Sequence, residues 1–270
     1  MIIYHNIPAS FASRQLYNTN LELSKSIEKL SSGDRINRAG NDPAGLAISE
    51  KMRSQVRGLY QAARNAQDAI SFVQTTEGAL QEAHSILHRV RELAIQSANG
   101  IYTTEDRAQV QVEVSQLLKE IDRVATATEF NKFKMLNGTQ LSMQFHIGAN
   151  ADQVMKVSIG TMTTQALGLA NLSISSPEQA NTSLASVDQA VNRISKQRAD
   201  LGAYQARLEH AVKSLSVASE NMMAAESRIR DTDFASEIIQ FTKSKLLLQT
   251  GVVMLAQANI NPQAVLKLIE

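Results

Sequence analysis

Two stretches of the chain, 43–98 and 177–230, each run for more than fifty residues without an internal proline and set apolar residues at alternating steps of four and three. In the first the series is Met52, Val56, Leu59, Ala63, Ala66, Ile70, Val73, Glu77, Leu80, His84 and Leu87, nine apolar positions of eleven. In the second it is Leu184, Val187, Val191, Ile194, Arg198, Leu201, Gln205, Leu208, Val212, Leu215, Ser219 and Met222, nine of twelve. A repeat of 3.5 sustained for that long describes helices that bury a seam against one another. Each would be about 80 Å long at ~1.5 Å per residue, far beyond the ordinary helix of about 11 residues. The expectation is a mainly α fold, a long antiparallel helical coiled-coil or bundle rod.

Local signals set the ends of these helices. Asn41-Asp42-Pro43 offers an Asp cap with proline at the first helical position, and Ser176-Pro177-Glu178-Gln179 offers a Ser cap with Gln at capping-box spacing. The first helix should stop at Asn99-Gly100. A third, about 103–128, opens at Thr103-Thr104-Glu105-Asp106 and carries Val110, Val114, Leu117, Leu118, Ile121 and Val124. The period then shifts to two: Leu141, Met143, Phe145 and Ile147 alternate with polar residues, as do Met155, Val157 and Ile159 after Gly148-Ala149-Asn150-Ala151-Asp152. This reads as a small β-hairpin at about 141–160, its apolar face on the bundle.

Composition closes off most other classes. The 270 residues include 4 Pro, 12 Gly, no Cys and no Trp, which excludes disulfide scaffolds, cysteine zinc sites and collagen-like or low-complexity disorder. With 27 Lys and Arg against 26 Asp and Glu there is no net field to attract a phosphate backbone, so nucleic acid is not an expected partner. The first sixteen residues, MIIYHNIPASFASRQL, lack the basic region and apolar run of a cleavable signal. Leu246 to Leu266 is uncharged, but Gln249, Gln257, Asn259, Asn261 and Gln263 make it a partner helix rather than a membrane span.

Candidate chemistry is sparse. His84 and His88 share one helical face, but no Glu follows the first, and a catalytic zinc requires three protein ligands, so no metal and no cofactor is expected. No nucleophile elbow, P-loop or dinucleotide fingerprint occurs, so no enzyme is expected. The termini, by contrast, are apolar where termini usually fray: Phe11, Leu16, Leu23, Ile27 and Leu30 at one end, and Leu247, Val252, Leu255, Ile260 and Leu266 at the other, among further apolar neighbours. Such surface needs partners, either each other or other subunits.

Five blocks carry a family resemblance. LSSGDRINRAGNDPAGLAISEKMRSQVRGL (30–59), RVRELAIQSANG (89–100), EIDRVA (120–125), AESRIRDTDFASE (225–237) and LAQANINPQAVLKLI (255–269) resemble bacterial flagellin, in the same order. IQSANGIYTTEDRAQVQVEVSQLL, FHIGANADQ, IGTMTTQALG and KQRADLGAYQARLE are most similar to the spirochaete core flagellins. Two departures stand out: Lys132 where the family usually has Gly, and Asn261-Pro262 in the tail.

The resemblance implies a structural subunit that polymerises into the flagellar filament and serves motility. It implies an inner coiled-coil domain from 1–42 plus 231–270, a helical rod domain at 43–230, and no inserted outer domain. Implied partners are further copies of the chain, an export chaperone on the C-terminal segment, filament cap and hook-junction proteins, and sheath proteins in a spirochaete. Passage unfolded through the type III export apparatus is implied, with no membrane insertion. The location would be the periplasmic flagellum in a spirochaete and the extracellular filament otherwise. By the same resemblance Arg89, Leu93 and Glu113 match a surface contacted by an innate Toll-like receptor. A hook-filament junction protein, or less closely a non-flagellar helical-rod scaffold, is the alternative.

Overall fold

The computed structural model describes residues 5–139 and 142–269, with side chains as far as 261. In chain order the elements are α1 (Ile7–Ser32), α2 (Pro43–Ala98), α3 (Thr104–Ala127), β1 (Glu129–Phe130), β2 (Phe133–Lys134), β3 (Ser142–His146), β4 (Val154–Ser158), α4 (Thr164–Leu167), α5 (Pro177–Arg230) and α6 (Phe234–Ile269). The fold is mainly α with two small antiparallel strand pairs. Two compact units emerge, a terminal one of Met1–Ser54 with Asn221–Glu270 and a central one of Gln55–Glu220. Leu141 lies outside the described residues, as does the side chain of Leu266.

The caps explain where the helices begin. Asp42 Oδ1 accepts from Gly45 N at 2.9 Å, and Ser176 Oγ accepts from Gln179 N at 3.3 Å. Gln179 does not complete a capping box; its Oε1 accepts instead from the Ser173 hydroxyl at 3.0 Å. At the head of α3, Thr103 and Asp106 do close a reciprocal box. The far end of α2 is capped from α3: Arg107, buried, donates to the carbonyls of Ser97 (2.9 Å) and Asn99 (3.0 Å), two acceptors that the helix itself leaves unpaired.

In the central unit α2 and α5 run antiparallel, tied by Arg91 to Asp188 at 2.7 Å and Glu77 to Arg198 at 3.7 Å. The seam departs in part from the one read in the sequence. Ala66, Val73, Leu80 and Leu87 are buried, but Ala63, Ile70, Glu77 and His84 are only half-buried. The deep positions between them are Ala62, Ala69, Thr76 and Ala83. The α5 seam shifts likewise: Val187, Ile194, Leu201 and Leu208 are buried, with Ser183 and Ala190 in place of Leu184 and Val191. The cause is that α2 serves several neighbours. Phe72 meets Phe130 edge-on at 5.7 Å and Phe145 at 5.5 Å, and the Thr76 hydroxyl reaches Met135 Sδ at 3.0 Å, so the buried face rotates toward the strands.

Strand β3 pairs with β4 in the register Met143 to Val157 and Phe145 to Met155. Met155 and Val157 point into the core while their neighbours face out, the alternation that a half-buried hairpin requires. The smaller pair, β1 with β2, joins through Asn131 (φ 51°) and Lys132 (φ 68°), both left-handed. A two-residue turn of this kind favours Asn-Gly, which accounts for the family's usual glycine at the second position. Lysine here carries the Cβ penalty of about 1–2 kcal/mol for a left-handed residue. Lys132→Gly is therefore expected to stabilise the central unit by roughly 0.5–1 kcal/mol, after allowance for the unfolded chain's added freedom, as measured by urea denaturation.

Candidate assembly surface

Helices α1 and α6 form an antiparallel pair fixed at both ends. Lys29 Nζ meets Glu237 Oε2 at 3.2 Å, and Asn6 Nδ2 donates to the Ala258 carbonyl at 2.9 Å. The second bond answers a specific need. Pro262 has no N–H, so the Ala258 carbonyl four residues earlier loses its helical donor. Asn6 supplies one while its Oδ1 caps α1 by accepting from Ala9 N at 3.1 Å. The helix thus runs on through the Asn261-Pro262 departure.

What lies between the two helices is small. The buried residues are Thr19 and Ser26 of α1 and Ser244 of α6. Gly251 sits so close to Leu16 that a Cβ there would stand 2.9 Å from Leu16 Cδ2. Close approach through small residues leaves the large ones outside. Phe11 is 59% exposed, Val253 67% and Ile239 71%, and Ile27, Leu247, Val252 and Ile260 are likewise exposed. Leu16, Leu23, Leu30 and Leu255 are half-buried along the edges of the pair. A groove of about 610 Å³ opens along one side, floored by Thr19 and Gly251 and walled by Ile7, Phe11, Leu247 and Met254. Tyr17 and Leu21 are also exposed, one turn apart on α1, outside the lining of this groove.

A polar clamp closes the base of the pair. Gly33, at φ 76°, ends α1 with its N–H on the Lys29 carbonyl at 2.8 Å, a left-handed cap natural to glycine. Arg35 N then donates to the Arg230 carbonyl at 2.6 Å and Thr232 N to the Gly33 carbonyl at 2.8 Å, stitching the two connecting segments together. The Arg230 guanidinium, largely buried, reaches Glu50 at 2.5 Å and Asp34 at 3.2 Å. The Glu50 hydrogen bond, followed by that to Asp34, holds its pKa above the ordinary arginine value.

The three residues matched to a receptor surface separate into two environments. Arg89 donates to Glu113 through Nε (3.0 Å) and Nη2 (2.9 Å) and to Glu92 through Nη1 (3.3 Å), all on the exterior. Leu93 is only 2% exposed and belongs to the core of the central unit, so it offers a partner no surface in this structure. Among the described residues no three metal-ligating side chains converge, and no helix is long and apolar enough to cross a membrane.

Comparison with known proteins shows what shares this arrangement. Residues 3–141 match the bacterial flagellin N-terminal helical region and residues 184–269 the bacterial flagellin C-terminal helical region. The chain is 56% identical to the flagellar filament 30.7 kDa core protein of Treponema maltophilum and 54% identical to flagellin FlaB2 of Treponema pallidum (strain Nichols), each covering 100% of both chains. The crystal structure of Bacillus cereus flagellin superposes with a TM-score of 0.52 at 30% identity, covering 60% of this chain and 94% of that one.

Proposed function

The chain belongs to the bacterial flagellin family and is a structural subunit that polymerises into the flagellar filament, and we propose that the outward apolar faces of α1 and α6 join one subunit to the next. The observation that carries this is the inversion of ordinary packing in that pair: serine, threonine and glycine inside, phenylalanine, isoleucine and valine outside. Apolar burial is worth about 25 cal/mol per Å², so a surface of this kind is stable only when covered. Contacts made through different patches on successive copies produce an open helical polymer rather than a closed ring. Phe11, Leu16, Leu23, Ile27, Leu30, Leu247, Val252, Leu255 and Ile260 are the residues assigned to it; the side chain of Leu266 lies outside the described residues.

In this reading 1–42 plus 231–270 form the inner part of the filament and 43–230 the part outside it. The family's work is mechanical, and motility is the process it serves. Likeness to spirochaete filament core proteins supports a place in the periplasmic flagellum. The exposed apolar face of α6 suits an export chaperone before assembly and cap and hook-junction proteins at the filament's two ends, whereas sheath proteins would meet the outer part formed by 43–230. A second reading rests on the exterior ion pair of Arg89 with Glu113, which an innate receptor could engage.

Hydrogen exchange tests the main proposal. Amides of residues 5–40 and 235–269 are expected to exchange rapidly in free subunits and to become strongly protected in polymerised ones, while the central unit changes little. Equal protection of the terminal segments in both forms would sink it.

A further inference from the structure

The rings of His84 and His88 meet on α2 at a point none of the filament contacts above requires. Their Nε2 atoms are 2.9 Å apart, with the ring planes at 85°. His88 is exposed, and His84 is half-buried with its Nδ1 enclosed and without a hydrogen-bond partner. Burial first, then the neighbouring His88 and Arg198 charges, hold the His84 imidazole below its usual pKa. Arg198 itself lies 3.7 Å from Glu77, which offsets its charge.

Two imidazole nitrogens facing each other across one turn form a chelate. At a metal–nitrogen bond of about 2.0–2.1 Å, two ligands at a right angle lie about 2.9 Å apart, whereas tetrahedral ligands lie about 3.3 Å apart. The observed 2.9 Å is that of the N–H···N hydrogen bond between the rings, and it leaves the two Nε2 atoms spaced to take neighbouring positions around one ion; for two imidazoles, Cu²⁺ is the first-row divalent ion of highest affinity. We propose that His84 and His88 bind one divalent ion, with Cu²⁺ held most tightly, through their two Nε2 atoms. Among the described residues no third protein ligand joins them, so water completes the coordination. Without the ion, one ring donates an Nε2 proton to the other. On binding, that proton moves to the same ring's Nδ1 and both Nε2 lone pairs turn to the metal.

Titration of the full-length subunit with Cu²⁺, followed by electron paramagnetic resonance, tests this. One ion per chain is expected, with splitting from two nitrogens. His88→Gln, at an exposed position, and His84→Gln are each expected to weaken binding at least tenfold, with far-ultraviolet circular dichroism unchanged for His88→Gln. His210→Gln is expected to leave binding unaltered. Copper affinity equal in wild type and His88→Gln, or splitting that persists unchanged in that variant, would overturn the assignment.

Discussion

A Val253→Glu subunit is expected to melt at the wild-type temperature and to form no filaments at concentrations where the wild type polymerises fully. Val253 is 67% exposed in the free subunit, so the carboxylate remains in water and costs the fold little. In the polymer that position would be covered. An uncompensated charge buried there costs about 3–5 kcal/mol, and at about 1.4 kcal/mol per factor of ten the critical concentration should rise more than about a hundredfold. Val253→Leu keeps the apolar character and is expected to polymerise normally. Sedimentation of both variants across a concentration series is the measurement, and pelleting of Val253→Glu at the wild-type threshold would show that this face of α6 is not an interface.

Phe72→Ala is expected to destabilise the central unit by about 3–5 kcal/mol. Phe72 is 1% exposed and is where α2 touches both strand pairs, through Phe130 of β1 and Phe145 of β3. Each aromatic pair adds about 0.5–1.5 kcal/mol beyond area burial, and truncation loses both pairs as well as opening a cavity. Phe72→Leu should cost less by retaining most of the volume. Calorimetry and urea unfolding read the difference; a loss below about 1 kcal/mol for Phe72→Ala would mean that the strand pairs do not share a core with α2.

The long helices were legible because heptad spacing and two proline starts are strong local signals. The side of each helix buried most deeply was less so. Thr76, Ser97 and Ser183 are buried because their hydroxyls bond to backbone or side-chain acceptors: Thr76 to the Phe72 carbonyl at 2.8 Å, Ser97 to the Ile174 carbonyl at 2.5 Å and Ser183 to the Ser173 carbonyl at 2.7 Å. Counting apolar residues passes over such positions, and a single seam drawn at alternating steps of four and three runs through Ile70 and His84 although Ala69 and Ala83 beside them lie deeper. Strands β1 and β2 are two residues each, too short to show a period, and their turn uses Lys132 where glycine would have announced it.

The apolar face proposed for assembly was half legible for a related reason. Apolar residues at both ends of the chain stood out against the polar ends of ordinary proteins. Their outward orientation did not, because it follows from Thr19, Ser26, Ser244 and Gly251 allowing the two backbones to approach, and small residues carry little signal in a hydrophobicity pattern. The receptor-matched residues show the same limit from the other side: Arg89, Leu93 and Glu113 match one surface by resemblance, yet Leu93 is interior.

The bond from Asn6 to Ala258 joins positions 252 residues apart. Closing a loop of that length is the slowest class of contact to form, and it can happen only once nearly the whole chain is present. The face proposed to join copies is therefore created last. A chain cut short by even its final few dozen residues has α1 without its mate, and it cannot present the paired surface to a growing polymer. If that face joins copies, pairing α1 with α6 leaves out any copy that lacks α6, without any separate act of inspection.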